Sequence, residues 1–197
     1  ELSDMNQPLG SAVGNILEVK EAIAFLKGEP VPHDLYDHCI ESSAQLLLMG
    51  EIRPTLDECR ALAVSSVEDG SAFESLRKLI GLQHGDTSYL DHPDKFPLAP
   101  VIRTIFSAAK GWVKEVNARK VGETSVLLGA GREKKSDTID HRVGILVHQK
   151  VGEYIEKGAP LFTIHANSEQ DFEQAAAALA EACVLSQEKV KPLPQFY

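Results

Sequence analysis

Cysteine is scarce in this 197-residue chain: only Cys39, Cys59 and Cys183 occur. They are odd in number, far apart and form no CxxC pair, which excludes a disulfide framework and a cysteine-based zinc knuckle. All three read as reduced thiols of a cytosolic protein, with Cys39 and Cys183 inside helical patterns. Apolar runs near the ~20 residues of a membrane helix are absent, and so is a signal peptide. Positive charge is in deficit. Twenty Lys and Arg face 29 Asp and Glu, for a formal net charge of -9. Such a chain has no broad attraction for nucleic acid or for an anionic membrane. A local pocket for a small anion remains open. Also lacking are a GxSxG elbow, a P-loop, an HExxH pair, a cysteine nucleophile motif, an internal repeat and a low-complexity tract. The chain opens on Glu1-Leu2-Ser3-Asp4 without an initiator Met, as expected of a fragment or a processed chain.

What is present is ordinary globular material, 43% hydrophobic and 25% charged, and long enough to bury a core. Ile16, Val19, Ile23 and Leu26 recur at helical spacing and predict a helix over 14–27, ended by Gly28, Pro30 and Pro32. Further helices are expected over 34–49, 54–70 and 71–82. The segment 85–100 holds prolines and aspartates without a period and reads as a linker. Short strands are expected after it, at 101–107, 111–117, 143–148 and 160–165. A short helix is expected at 121–128, and turns at Val151-Gly152 and Lys157-Gly158. A last helix starts at the N-cap Ser168. Phe172, Ala175, Ala176, Leu179 and Cys183 are expected to form its buried stripe. The tail 189–197, with two prolines, is expected to be ordered only by docking. The fold class is therefore α+β, with a helical part before about residue 86 and an α+β part from about 100 to 188.

Candidate chemistry is sparse. The seven histidines (His33, His38, His84, His92, His141, His148 and His165) fall at surface positions or strand ends, without metal-ligand spacing. Gly129-Ala130-Gly131-Arg132 with Lys134 and Lys135 could cradle a phosphate. No apolar helix follows that turn, which favours a tight connection with a solvated charge run. The stretch 151–164 resembles half of the sandwich that carries biotin or lipoate, but Lys150 and Lys157 lack the flanks of a modified lysine. The loop Ser3–Gly10 feeds the helix start at Gly14-Asn15. Glu21 lies seven residues after Gly14 and four after Leu17, hence on their side of the helix. Loop carbonyls with one carboxylate suit a hard cation, which takes oxygen ligands. The plainer alternative is that Glu18 and Glu21 are solvated helix residues.

Two long motifs carry a resemblance. One is Asp4-Met5-Asn6-Gln7-Pro8-Leu9-Gly10, with Ala12-Val13-Gly14-Asn15 and Leu17-Glu18-Val19-Lys20-Glu21-Ala22. The other is Gly129-Ala130-Gly131-Arg132, Lys135, Asp137-Thr138-Ile139-Asp140, Val143-Gly144, Gly158, Leu161 and Ile164-His165-Ala166. In order and spacing they are similar to the thymidine and pyrimidine-nucleoside phosphorylases, over essentially the whole chain.

The resemblance implies a glycosyltransferase that cleaves uridine or thymidine with phosphate, giving base and pentose 1-phosphate. It implies a cytoplasmic homodimer without nucleic-acid or membrane partners. By the same likeness, residues 1–86 would be the helical C-terminal portion of a phosphate-binding α/β domain and 87–100 a linker. Residues 101–197 would be a hammerhead-like α/β domain of mainly structural role. The family's phosphate loop and pyrimidine-binding residues find no matching positions, so no catalytic residue is assigned and the fragment alone is expected to be inactive. One site carries over: a potassium ion held by the backbone carbonyls of Leu9 and Ala12 and the carboxylate of Glu21. The partner loop of that site is absent here, so the chain alone is expected to bind the ion poorly. The competing reading is a standalone structural or binding module with a barrel-sandwich-like domain.

Overall fold

A computed structural model describes residues 2–132 and 134–197. Glu1 and Glu133, the second in the charge run after Gly131, lie outside the described residues. The fold is mixed α+β and comprises two compact units. One joins the segment ending at Glu18 to Pro97–Tyr197, and the other is Val19–Phe96.

The first unit holds two antiparallel sheets. Strands β1 (Ala12–Val13), β4 (Gly144–Val147), β6 (Pro160–Ala166) and β2 (Val101–Phe106) form one, in the order β1-β4-β6-β2. Strands β5 (Tyr154–Ile155), β3 (Gly111–Val116) and β7 (Cys183–Ser186) form the other, in the order β5-β3-β7. Alternation along β6 turns Phe162, Ile164 and Ala166 into the core, where Val113, Val143, Ile145 and Val147 meet them. On the same strand Thr163 points the other way. Its hydroxyl lies 2.7 Å from those of Thr104 across the register and 2.7 Å from His148 Nε2. Helices α6 (Ala118–Leu127) and α7 (Glu169–Leu179) pack on each other, and α7 covers β6 and β2. The side chain of Asn117 accepts from the Lys120 amide, which starts α6 earlier than its apolar pattern suggests. Ser168 caps α7 as expected, accepting from the Asp171 amide.

The second unit is built from the rest of α1 (Asn15–Leu26), with α2 (His33–Met49), α3 (Leu56–Glu68), α4 (Ser71–Leu82) and the four-residue α5 (Ser88–Asp91). Its core gathers Phe25, Ile40, Ala63 and Val67, with Tyr36 edge-on to Phe25 at 5.7 Å. Arg60 bridges α3 to α2, donating to both carboxylate oxygens of Glu41 at 2.6 and 3.1 Å. No residue of α4 is fully buried, and Leu46, Met49, Leu79 and Leu82 are exposed.

Two expectations need correction, for Cys183 and for the segment 85–100. Cys183 is not on the last helix: α7 stops at Leu179, and Cys183 opens β7, paired with Val116. A run of four alanines carries the helix pattern forward, but pairing with β3 satisfies the backbone from Cys183 onward. The expected turns at Val151-Gly152 and Lys157-Gly158 are present, and between them lies strand β5, where Ile155 buries into the core. The segment 85–100 is not without structure, since it holds α5 and a 3₁₀ turn at Pro93–Lys95. The tail pairs with the start of the chain. Ser3 bridges Phe196, and the Tyr197 amide donates to the Leu2 carbonyl at 2.8 Å.

Candidate functional site

The opening loop has no regular structure of its own, so its geometry must come from side chains and neighbours. Asp4 accepts from its own loop, from the Asn6 amide at 2.8 Å and the Asn6 side chain at 3.0 Å. It also accepts from the Tyr197 hydroxyl at 2.8 Å. Burial would raise its pKa, but the three hydrogen bonds prevail and lower it. The Asn6 carbonyl accepts from the Ala118 amide at 3.0 Å, and the Gln7 side-chain oxygen from the Val151 amide at 3.0 Å. The Lys150 ammonium donates to the carbonyls of Pro8 and Gly10, at 2.5 and 2.6 Å.

The loop ends in β1, an edge strand on β4. Ala12 faces Leu146 and Val13 faces Ile145, and the Val147 amide donates to the Ser11 carbonyl at 2.7 Å. That bond makes Ala12 and Leu146 a non-hydrogen-bonded pair. The N–H and C=O of Ala12 therefore point away from β4. Two glycines let the strand turn into the helix at this place. Gly14 has φ 138°, and a Cβ there would lie 2.7 Å from the Val143 carbonyl and 2.8 Å from the Gly144 Cα. Only glycine tolerates both the angle and the approach.

The second sequence motif closes on the first. The Asn15 side chain donates to the Ala130 carbonyl at 2.9 Å, and the Ile16 amide to the His141 carbonyl at 3.1 Å. One of the first amides of α1 is thus satisfied by the 129–142 segment. That segment is itself braced by Asp140. Its carboxylate accepts from the Arg142 side chain at 3.0 and 2.7 Å, from the Arg142 amide at 2.9 Å and from Asn167 at 2.9 Å. The Arg142 guanidinium in particular holds the Asp140 carboxyl well below the usual carboxylate range. The Gly129 turn opens no helix; the Arg132 side chain donates to the Asp137 backbone carbonyl at 3.2 Å, and the Lys134 backbone amide donates to the Asp137 carboxylate at 2.8 Å.

Leu9 and Ala12 stand together, three residues apart, on the loop and β1. Glu21 lies on α1 in the second unit, half-buried. Burial first, and then the charge of Glu21, raise the pKa of the Cys39 thiol. Sequence reasoning did not single out two groups at the loop. Glu18 Oε1 accepts from the Gly14 amide at 2.9 Å, a backward reach of four residues that helical spacing could have signalled. Lys150 carried no such signal, because it is 140 residues away from Gly10. Lys157 is exposed in its turn. Among the described residues, no group of three His, Cys, Asp or Glu could hold a metal ion. Any cation here would take backbone carbonyls with at most a lone carboxylate, the donor set that hard ions accept.

Residues 112–186 match the family model of the pyrimidine nucleoside phosphorylase C-terminal domain. Over 170 residues, 86% of this chain, it is 42% identical to a pyrimidine-nucleoside phosphorylase of Staphylococcus epidermidis. Over 191 residues, 97% of this chain, it is 38% identical to a pyrimidine-nucleoside phosphorylase of Staphylococcus aureus strain RF122. The chain spans 39% of the first relative and 44% of the second.

Proposed function

We propose that this chain, which carries the pyrimidine nucleoside phosphorylase C-terminal domain, serves as the C-terminal part of an enzyme that cleaves uridine or thymidine with inorganic phosphate. The products would be the free base and a pentose 1-phosphate. The observation that carries the reading is 38% identity sustained over 97% of the chain. The meeting of the two motifs around Gly14 and Gly144 supports it, since the residues that carry the resemblance build one local structure. Exposed Leu46, Met49, Leu79 and Leu82 fit a helical unit that packs against further protein in a cytoplasmic homodimer.

In this reading the carbonyls of Leu9 and Ala12 and the carboxylate of Glu21 hold a potassium ion. The outward set of the Ala12 peptide, given by its place in the β1–β4 register, suits that role. The ion would supply a fixed positive charge where phosphate is handled. The chain's own part is to hold oxygen ligands in place. Cleaving the glycosidic bond needs groups that neutralise phosphate and help the base leave as an anion. No residue of this chain is assigned to that work, so the 197-residue chain by itself is inactive. Release of uracil from uridine and phosphate by the purified chain is the test. Turnover in the ordinary enzyme range, about 1–1000 per second, would overturn the inactivity. For the ion, Glu21→Ala in a longer protein that contains a phosphate loop raises the potassium concentration for half-maximal activity. An unchanged potassium response removes Glu21 from the set.

A further inference from the structure

The seat of Lys150 is the best-defined polar contact of the loop. Its side chain is half-buried, and its ammonium donates to Pro8 at 2.5 Å and Gly10 at 2.6 Å. An ammonium has three donors and no acceptor, so carbonyl oxygens are its natural ligands. The two carbonyls are those on either side of Leu9. A single cation thus spans the turn that displays Leu9. Pro8 has no N–H and Gly10 sits at φ 64°, so the turn cannot borrow rigidity from a helix or a ladder.

The base of Lys150 is fixed as firmly as its tip. Its amide donates to Glu153 Oε2 at 2.8 Å, and the Glu153 amide returns to the Lys150 carbonyl at 3.2 Å. Gly152 follows with φ 94°, where a Cβ would lie 2.6 Å from the Pro192 nitrogen. This turn leaves β4 only three residues after Val147, whose amide holds Ser11. The loop is therefore gripped from one short segment of the sheet unit. Val147 holds it at Ser11, Lys150 at Pro8 and Gly10, and Val151 at Gln7.

We propose that Lys150 is a positioning residue for the ion-binding turn: its ammonium holds the Pro8 and Gly10 carbonyls and so sets the Leu9 and Ala12 carbonyls for a monovalent cation. This rests on the reading of Leu9 and Ala12 as ion ligands. It gives the turn after β4 a part in shaping the site beyond packing. The lysine acts through the backbone and touches no substrate. Charge-assisted bonds of this kind are worth more than neutral ones.

Amide exchange in the 197-residue chain tests the clamp. In Lys150→Met, the Val147 amide exchanges on the order of tenfold to a hundredfold faster than in the wild type. Lys150→Arg restores most of the protection, because a guanidinium can still reach two carbonyls. The amides of Val113 and Asn117, bonded to Glu153 and Ala182, keep their rates and show that the unit stays folded. A wild-type rate at Val147 in Lys150→Met overturns the clamp.

Carbonyl carbon shifts of labelled Leu9 and Ala12, read in concentrated potassium chloride against choline chloride at equal ionic strength, test the positioning. The wild type and Lys150→Arg shift, and Lys150→Met shifts severalfold less. An undiminished shift in Lys150→Met overturns the positioning role. No shift in any of the three chains overturns the positioning role in this chain, while the exchange result still decides whether Lys150 clamps the loop and the Glu21→Ala potassium response decides the ion reading.

Discussion

Gly14→Ala should be among the most damaging small substitutions in the sheet unit, and its cost can be worked from two local quantities. The backbone there has φ 138°, a region that residues with a Cβ occupy at about 1–3 kcal/mol. The added Cβ would also stand 2.7 Å from the Val143 carbonyl oxygen and 2.8 Å from the Gly144 Cα. Both neighbours are backbone and cannot swing aside, so overpacking adds about 1–3 kcal/mol. The sum, roughly 2–6 kcal/mol, is a large share of the ~5–15 kcal/mol that holds an ordinary domain together.

Gly158→Ala is the matched control. It has φ 88° with nothing within 4 Å of a Cβ, so only the conformational cost of about 1–2 kcal/mol applies. Trp112, the sole tryptophan, lies on β3 in the same unit and reports both variants in urea unfolding by fluorescence. Equal losses for the two variants, or a Gly14→Ala loss under about 1 kcal/mol, would refute the close-approach argument.

Asp140→Asn should cost about 1–3 kcal/mol at neutral pH, because its carboxylate serves Arg142 and Asn167. The folded-state pKa is depressed, so this stabilisation is present above the usual carboxylate value of about 4 and is lost as pH falls through the folded value. The gap between wild type and variant therefore narrows on acidification below about pH 4; a gap that widens in urea titrations at falling pH contradicts the assignment. Ile164→Ala, fully buried on β6, should lose about 2–5 kcal/mol by the same fluorescence assay. Thr55→Ala removes the side-chain cap that accepts from the Glu58 amide and should lower the helical unit's stability by about 1 kcal/mol, read by circular dichroism.

The helices α1 to α4 were legible because their apolar residues recur at 3.6 spacing and their ends carry glycine or proline. Strands β2, β3, β4 and β6 were legible as β-branched runs between turns. The misplaced Cys183 shows the limit of such patterns. A run of alanines has high helix propensity, and nothing local tells where strand pairing takes over. Strand β5 was hidden for a related reason: two residues are too short for a period.

At the candidate site, the sequence by itself determined which residues could matter. The Asp4–Glu21 and Gly129–Gly144 motifs carry the likeness to the phosphorylases. Only the tertiary structure decided that those motifs meet, through Asn15, Ile16 and the Gly14–Gly144 contact. It also decided that the segment ending at Glu18 folds with Pro97–Tyr197, because Ala12-Val13 is a strand on the edge of β4. Lys150 reaching across 140 residues to Gly10 was beyond any reading of spacing. Helix and strand periods arise from local backbone geometry, which neighbours in sequence encode. Strand register and a lysine's choice of carbonyl depend on groups distant in the chain, and only the folded chain brings those together.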